Sequence, residues 1–123
     1  ITPDDEIAVI DYQDAMSGAI TYDLVSLLKD CYIEFERTEI EKLVLEFRDK
    51  KRVVIDDATF IKWFDFMGLQ RHIKVLGVFS RLYHRDGKEG YLKDIPLTLK
   101  YVLETGARYE ETIELVKLLK AFQ

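Results

Sequence analysis

Apolar positions recur along most of the chain at intervals of three and four residues, the spacing of helices that bury one face. The exception comes first. Ile7–Ile10 is a short unbroken apolar run between polar residues and predicts a buried strand that ends at Asp11. A loop containing Gly18 follows. From Thr21, which suits an N-cap, Leu24, Leu27, Leu28, Cys31, Tyr32 and Phe35 predict an amphipathic helix of about four turns. Thr38 with Glu41 has the form of a capping box opening a second helix, with Ile40, Leu43, Val44 and Phe47 inward. The cations of Arg48–Arg52 close it, where the helix dipole favours positive charge.

Val53–Ile55 reads as a short extended link, and Asp56 or Asp57 as the cap of a third helix over Ala58–Met67, ended by Gly68. A fourth helix is expected from Leu69 to Tyr83, with Ile73, Leu76, Phe79, Leu82 and Tyr83 inward and Gly77 packed closely against a neighbour. Arg85–Lys88 is a turn. Tyr91–Leu92 begins a short helix that Pro96 bends or restarts, with Asp94 as a candidate for the new cap and Gly106 as a candidate C′ residue. The last helix, Arg108 to Ala121, places Ile113, Val116, Leu119 and Phe122 inward. The predicted fold is mainly α: one short strand followed by five or six helices, with residues 1–20 forming the strand and its loop and 21–123 a helical subdomain.

Composition narrows the class. A chain of 123 residues, 48 % hydrophobic and 33 % charged, forms one domain or part of one and is neither disordered nor membrane-spanning in character. Its net charge of −5 and lack of a basic block argue against a nucleic-acid surface. The single cysteine, Cys31, has no internal partner and reads as a small buried hydrophobe of a reducing, cytoplasmic setting. No apolar run reaches the roughly 18 residues of a membrane span. A lone strand leaves its ladder groups unpaired, and Thr2–Glu6 reads as a turn. A partner strand is therefore expected ahead of Ile1. With no initiator methionine, the chain is expected to be the C-terminal piece of a longer protein. The other reading is a plain loop or a strand that pairs with another molecule.

Asp11, at the end of a rigid strand, is the kind of oxygen donor that holds Mg²⁺, although an aspartate there is commonly a turn residue. Asp14 either supports such a site or bonds amides of the following loop. The order Ile10-Asp11, Asp14-Ala15, a glycine loop, then Thr21-Tyr22-Asp23-Leu24 resembles the second metal-binding motif of the aminoglycoside phosphotransferase-like kinases, which include choline and small-sugar kinases. The longer stretches Val9–Ala15 and Thr21–Tyr32, with Gly68–Gly77, Phe79–Tyr83 and Arg85–Gly87, are similar to one bacterial branch. That branch comprises cell-wall-recycling kinases of N-acetylmuramate and N-acetylglucosamine.

The resemblance implies the helical lobe of a protein-kinase-like fold, ATP as co-substrate, Mg²⁺ held by Asp11, and an amino sugar phosphorylated on its anomeric hydroxyl. It implies that the catalytic base loop and the nucleotide-binding lysine lie in an N-terminal lobe, so no catalytic residue is expected in this chain. Asp23 is expected as a buried anchor that bonds the catalytic loop, or else as a simple helix-start charge worth about 0.3–1 kcal/mol. Trp63, Phe64, Phe66, Arg71, His72 and Lys74 are the candidate acceptor surface, because aromatic faces suit sugar rings and cations suit a lactyl carboxylate. The plainer reading makes the aromatics core and the cations solvated. An aminoglycoside or choline-type acceptor, or a non-catalytic helical binding module, is the alternative function. No Ser-His-Asp set, zinc-ligand spacing or Gly-rich phosphate loop is present.

Overall fold

The computed structural model describes residues 4, 5, 7 and 16–121. Five α-helices follow one another among them: α1 Tyr22–Leu28, α2 Arg37–Lys50, α3 Asp57–Asp86, α4 Ile95–Gly106 and α5 Ile113–Lys120. Short 3₁₀ helices at Glu89–Asp94 and Glu110–Thr112 precede the last two. No strand occurs among the described residues. Of the anticipated strand only Ile7 is described, exposed and outside any regular element; residues 8–10 lie outside the described residues.

Helix α3 is the spine. It begins where Asp56 accepts a hydrogen bond from the Thr59 amide at 2.9 Å, the N-cap anticipated from the sequence. It ends at Gly87, whose φ of 63° is the left-handed conformation glycine adopts freely. The two helices expected on either side of Gly68 are one. Gly68 instead marks a crossing, where a Cβ would lie in ordinary contact with the Val25 and Lys29 side chains of the α1 region. The expected close packing at Gly77 is absent, with open space around that position.

The core forms where α1 and α2 lay their apolar faces on the first half of α3: Leu24, Val25 and Leu28 with Ile40 and Val44, closing on Phe60 and Phe64. Phe47 and Met67 pack partly buried at its edge. Leu43, expected inward, is exposed, as are Ile73 and Tyr83 further along α3. In the second half of α3, Phe79 is buried and stacks on Tyr91, with ring centroids 5.3 Å apart.

The first two helices differ from the sequence reading at their ends. Helix α1 stops at Leu28 and does not continue to Phe35, because the Asp30 carboxylate accepts the Cys31 amide at 2.7 Å and takes that donor from the helix ladder. Tyr32, Ile33 and Phe35 are consequently exposed, while Cys31 remains buried off the helix. Helix α2 starts at Arg37 after an extended Glu36, so Thr38 is inside the helix and the capping box does not form. Arg37 instead donates to Glu41 at 2.6 Å. Thr21 precedes α1 without capping it through its side chain; its hydroxyl donates to the Trp63 carbonyl at 3.5 Å.

At the C-terminal end, Gly106 belongs to α4 and is a packing residue, not a terminator. A Cβ there would stand 2.7 Å from Val116 Cγ2, closer than side chains tolerate, and Val116 is buried on α5. Thr112 donates its hydroxyl to the Gly106 carbonyl at 2.7 Å and fixes the junction. The single last helix expected over Arg108–Ala121 is thus a 3₁₀ turn and a shorter α5; Phe122 lies outside the described residues. Gly106→Ala is expected to destabilise the chain by about 1–3 kcal/mol through overpacking. Adding Val116→Ala should return part of that loss in a urea titration. An unchanged midpoint for the single variant would show that α5 shifts freely.

Candidate functional site

The Asp11 and Asp14 calls lie outside the described residues. Among the described residues no three Asp, Glu, His or Cys side chains converge on a metal position. Asp23 stands exposed in the first turn of α1, where its charge suits the helix dipole; the catalytic loop it is expected to bond is not among the described residues.

The structure divides the six residues of the candidate acceptor surface. Phe64 and His72 are core, less than 2 % exposed. His72 stacks on Tyr101 at 4.9 Å, and its Nε2 lies 2.9 Å from the Lys29 carbonyl, so the ring donates from that nitrogen. Burial, followed by the charges of Lys29 and Arg71, outweighs this bond and keeps the imidazole neutral below its ordinary titration range. Trp63 and Phe66 do come together. With Ala19, Ile20, Thr21 and Met67 they line an apolar groove of about 390 Å³ between α3 and the loop that follows the Asp11–Asp14 segment. Trp63 is 46 % exposed there. Arg71 and Lys74 do not line it. Arg71 lies over the Tyr22 ring at 5.8 Å, and Lys74 is exposed about 16 Å along the helix from Trp63.

A cluster that sequence reasoning missed lies on another face of α3. The Asp65 carboxylate is fully buried and accepts both guanidinium nitrogens of Arg37, at 2.6 and 2.8 Å, and the Tyr109 hydroxyl at 2.7 Å. Lys29 Nζ donates to it at 3.3 Å and to the Thr105 hydroxyl at 3.0 Å. Burial alone would raise the Asp65 pKa. The Arg37 bonds, the Lys29 charge and the Tyr109 bond together more than offset it and hold the group below the usual carboxylate range. For Lys29, burial outweighs the attraction of Asp65 and lowers the pKa. Lys62 extends the cluster by pairing with Glu111 over the Phe66 and Tyr109 rings. The sequence did carry a signal: Asp65 stands between Phe64 and Phe66 on a helix, and a carboxylate within such an aromatic run needs partners.

Among the described residues these features make an all-helical unit strung on one long helix, with an apolar groove and a buried ionic cluster, and no helix there is long and apolar enough to cross a membrane. Comparison with known proteins gives the particular relatives. The chain is 46 % identical over 90 % of its length to the N-acetylmuramate/N-acetylglucosamine kinase of Neisseria meningitidis. It is 36 % identical over 94 % of its length to the protein of the same name from Pseudomonas putida, and 36 % identical over 90 % to that from Pseudomonas aeruginosa. The chain spans about a third of the length of these curated relatives, 34–35 % of each. No family model matches the chain. No solved structure matches it significantly. The resemblance seen in the motifs and these whole-chain similarities lead to the same set of kinases.

Proposed function

We propose that this chain is the C-terminal helical lobe of an ATP-dependent kinase of N-acetylmuramate or N-acetylglucosamine, with a protein-kinase-like fold completed by an N-terminal lobe. The observation that carries the reading is identity of 36–46 % to three kinases of that name across at least nine-tenths of the chain. In this reading Asp11 supplies a carboxylate oxygen to Mg²⁺, whose role is to neutralise charge on the transferring phosphoryl group. Asp14 braces the loop. Asp23, open at the start of α1, meets the catalytic loop of the other lobe. The Trp63–Phe66 groove, walled on one side by Ala19–Thr21, offers an apolar platform to the acceptor. The setting is the cytoplasm, where ATP and recycled cell-wall sugars meet.

The test is phosphoryl transfer by the full-length protein, supplied with Mg²⁺-ATP and each amino sugar and followed by phosphorus NMR. A sugar phosphorylated at the anomeric oxygen is expected. ADP release that does not depend on either sugar would overturn the reading. The 123-residue chain alone is expected to be inactive, because in this reading the base and the nucleotide lysine belong to the N-terminal lobe. Turnover by that chain, freed of any full-length protein, would show that the lobe carries a site of its own.

A further inference from the structure

The outer face of α1 is open among the described residues. Leu24, Val25 and Leu28 point into the core, whereas Leu27 is 70 % exposed and Tyr22 41 %. We infer that this face, with Arg71 at its edge, is where the remainder of the full-length protein docks. The docking segment brings an apolar side chain to Leu27 and a carboxylate to Arg71. Such docking presupposes the kinase lobe proposed above and names the contact that completes it.

One exposed leucine is ordinary, so Leu27 alone decides nothing. Arg71 supplies a second, independent observation. Its guanidinium carbon lies over the Tyr22 ring, 5.8 Å from the centroid, and its Nε is buried with no hydrogen-bond partner among the described residues. A buried charged donor left unmatched costs free energy, so this nitrogen requires an acceptor. A carboxylate fits it best, because it can take two parallel bonds from a guanidinium. Helical spacing ties both features to Asp23. Asp23 and Leu27 stand four residues apart on one face of α1, with Tyr22 and Ser26 beside them. The Ser26 hydroxyl donates to the Tyr22 carbonyl at 3.0 Å, so its hydrogen is already used within the helix. A contact that brings the catalytic loop to Asp23 therefore brings its neighbours to Leu27. The occupant is the rest of the same protein because the chain spans only 34–35 % of the length of its relatives, and the larger part of such a protein lies outside it. A helix of seven residues also holds its shape only through packing, which a second covered face adds to.

The test is side-chain accessibility in the full-length protein, with neither sugar nor nucleotide present. Leu27→Cys is reacted with a maleimide, and the labelled peptide is followed by mass spectrometry against the same protein unfolded in urea. Protection of roughly a hundredfold is expected, set by how seldom the docked part opens. Adding Arg71→Ala should speed labelling about tenfold, the worth of a hydrogen bond to a charged group, and Arg71→Lys in its place should keep part of the protection. Hydroxyl-radical footprinting of the unmodified protein needs no variant and should find Tyr22 and Leu27 shielded from oxidation. Labelling and oxidation at the unfolded rate overturn the inference, as does labelling that Arg71→Ala leaves unchanged. Protection that appears only as protein concentration rises means that a second copy covers the face, and overturns it as well. A protein that phosphorylates an amino sugar yet labels freely at position 27 keeps the kinase and loses the docking face. One that is protected through Arg71 but transfers no phosphate keeps the face and loses the kinase.

Discussion

Asp65→Ala is expected to cost the lobe about 3–5 kcal/mol, the loss seen when one partner of a buried ion pair is removed and the other charges stay behind. Here two cations are left: Arg37, which makes a bidentate bond to this carboxylate, and Lys29, which is 4 % exposed. The Tyr109 hydroxyl loses its acceptor at the same time. Lys29→Met alone should be milder, because the Arg37–Asp65 pair survives it. The double variant should lose less than the sum of the two, since removing Lys29 relieves part of the uncompensated charge that Asp65→Ala creates. Strict additivity in urea titrations would mean that the cluster is not an energetic unit.

The same cluster sets an acid limit. Asp65 binds its proton more weakly in the folded chain than in the unfolded one, so its contribution is complete above roughly pH 4 and is lost as pH falls through the lower folded value. His72, also depressed, adds a separate decline that begins as pH drops below about 6.5, where the unfolded imidazole takes a proton the buried ring resists. Urea midpoints measured from pH 8 downward should fall first with His72 and then, at lower pH, with Asp65. Stability that rises on acidification would contradict both assignments.

The second large effect concerns activity. In the full-length protein, Asp11→Ala is predicted to lower Mg²⁺-dependent turnover by about a thousandfold or more, as expected when several kcal/mol of charge neutralisation is lost. The motivating observation is the position of Asp11 at the end of an apolar run and ahead of Tyr22-Asp23, matching the metal motif of the resembling kinases. Under the proposed reading, amino-sugar affinity should be nearly unchanged, because the groove proposed for the acceptor is built from residues after Gly18. Turnover close to that of the unmodified protein would remove Asp11 from the metal site.

Local signals were the legible ones. The helix start at Asp56 or Asp57, the turn at Gly87 and the inward faces of Leu24, Leu28, Ile40 and Val44 are set by neighbours within a few residues. Helix α1 was read too long because Leu27, Tyr32 and Phe35 keep helical spacing, whereas one carboxylate, Asp30, takes the amide the next turn needs. Gly68 was read as an end because its role depends on Val25 and Lys29, some forty residues earlier. Trp63 and Phe66, singled out by side-chain type, do line one groove, whereas Phe64 and His72 are core and Arg71 and Lys74 lie apart from it. The Asp65 cluster was not legible, because Lys29, Arg37 and Tyr109 reach it across 28 to 44 residues of sequence, beyond any periodic pattern.

Helix α3 has one more consequence. At thirty residues it is about 45 Å long, and α1, α2 and α4 each dock on it. It acts as a common template, since these shorter helices bury their apolar faces against it. Proteolytic nicking should therefore divide the lobe into two outcomes. A cut in the exposed turn around Lys51 and Arg52 leaves the docked helices in place, whereas a cut near Gly68 dissolves the whole assembly at once.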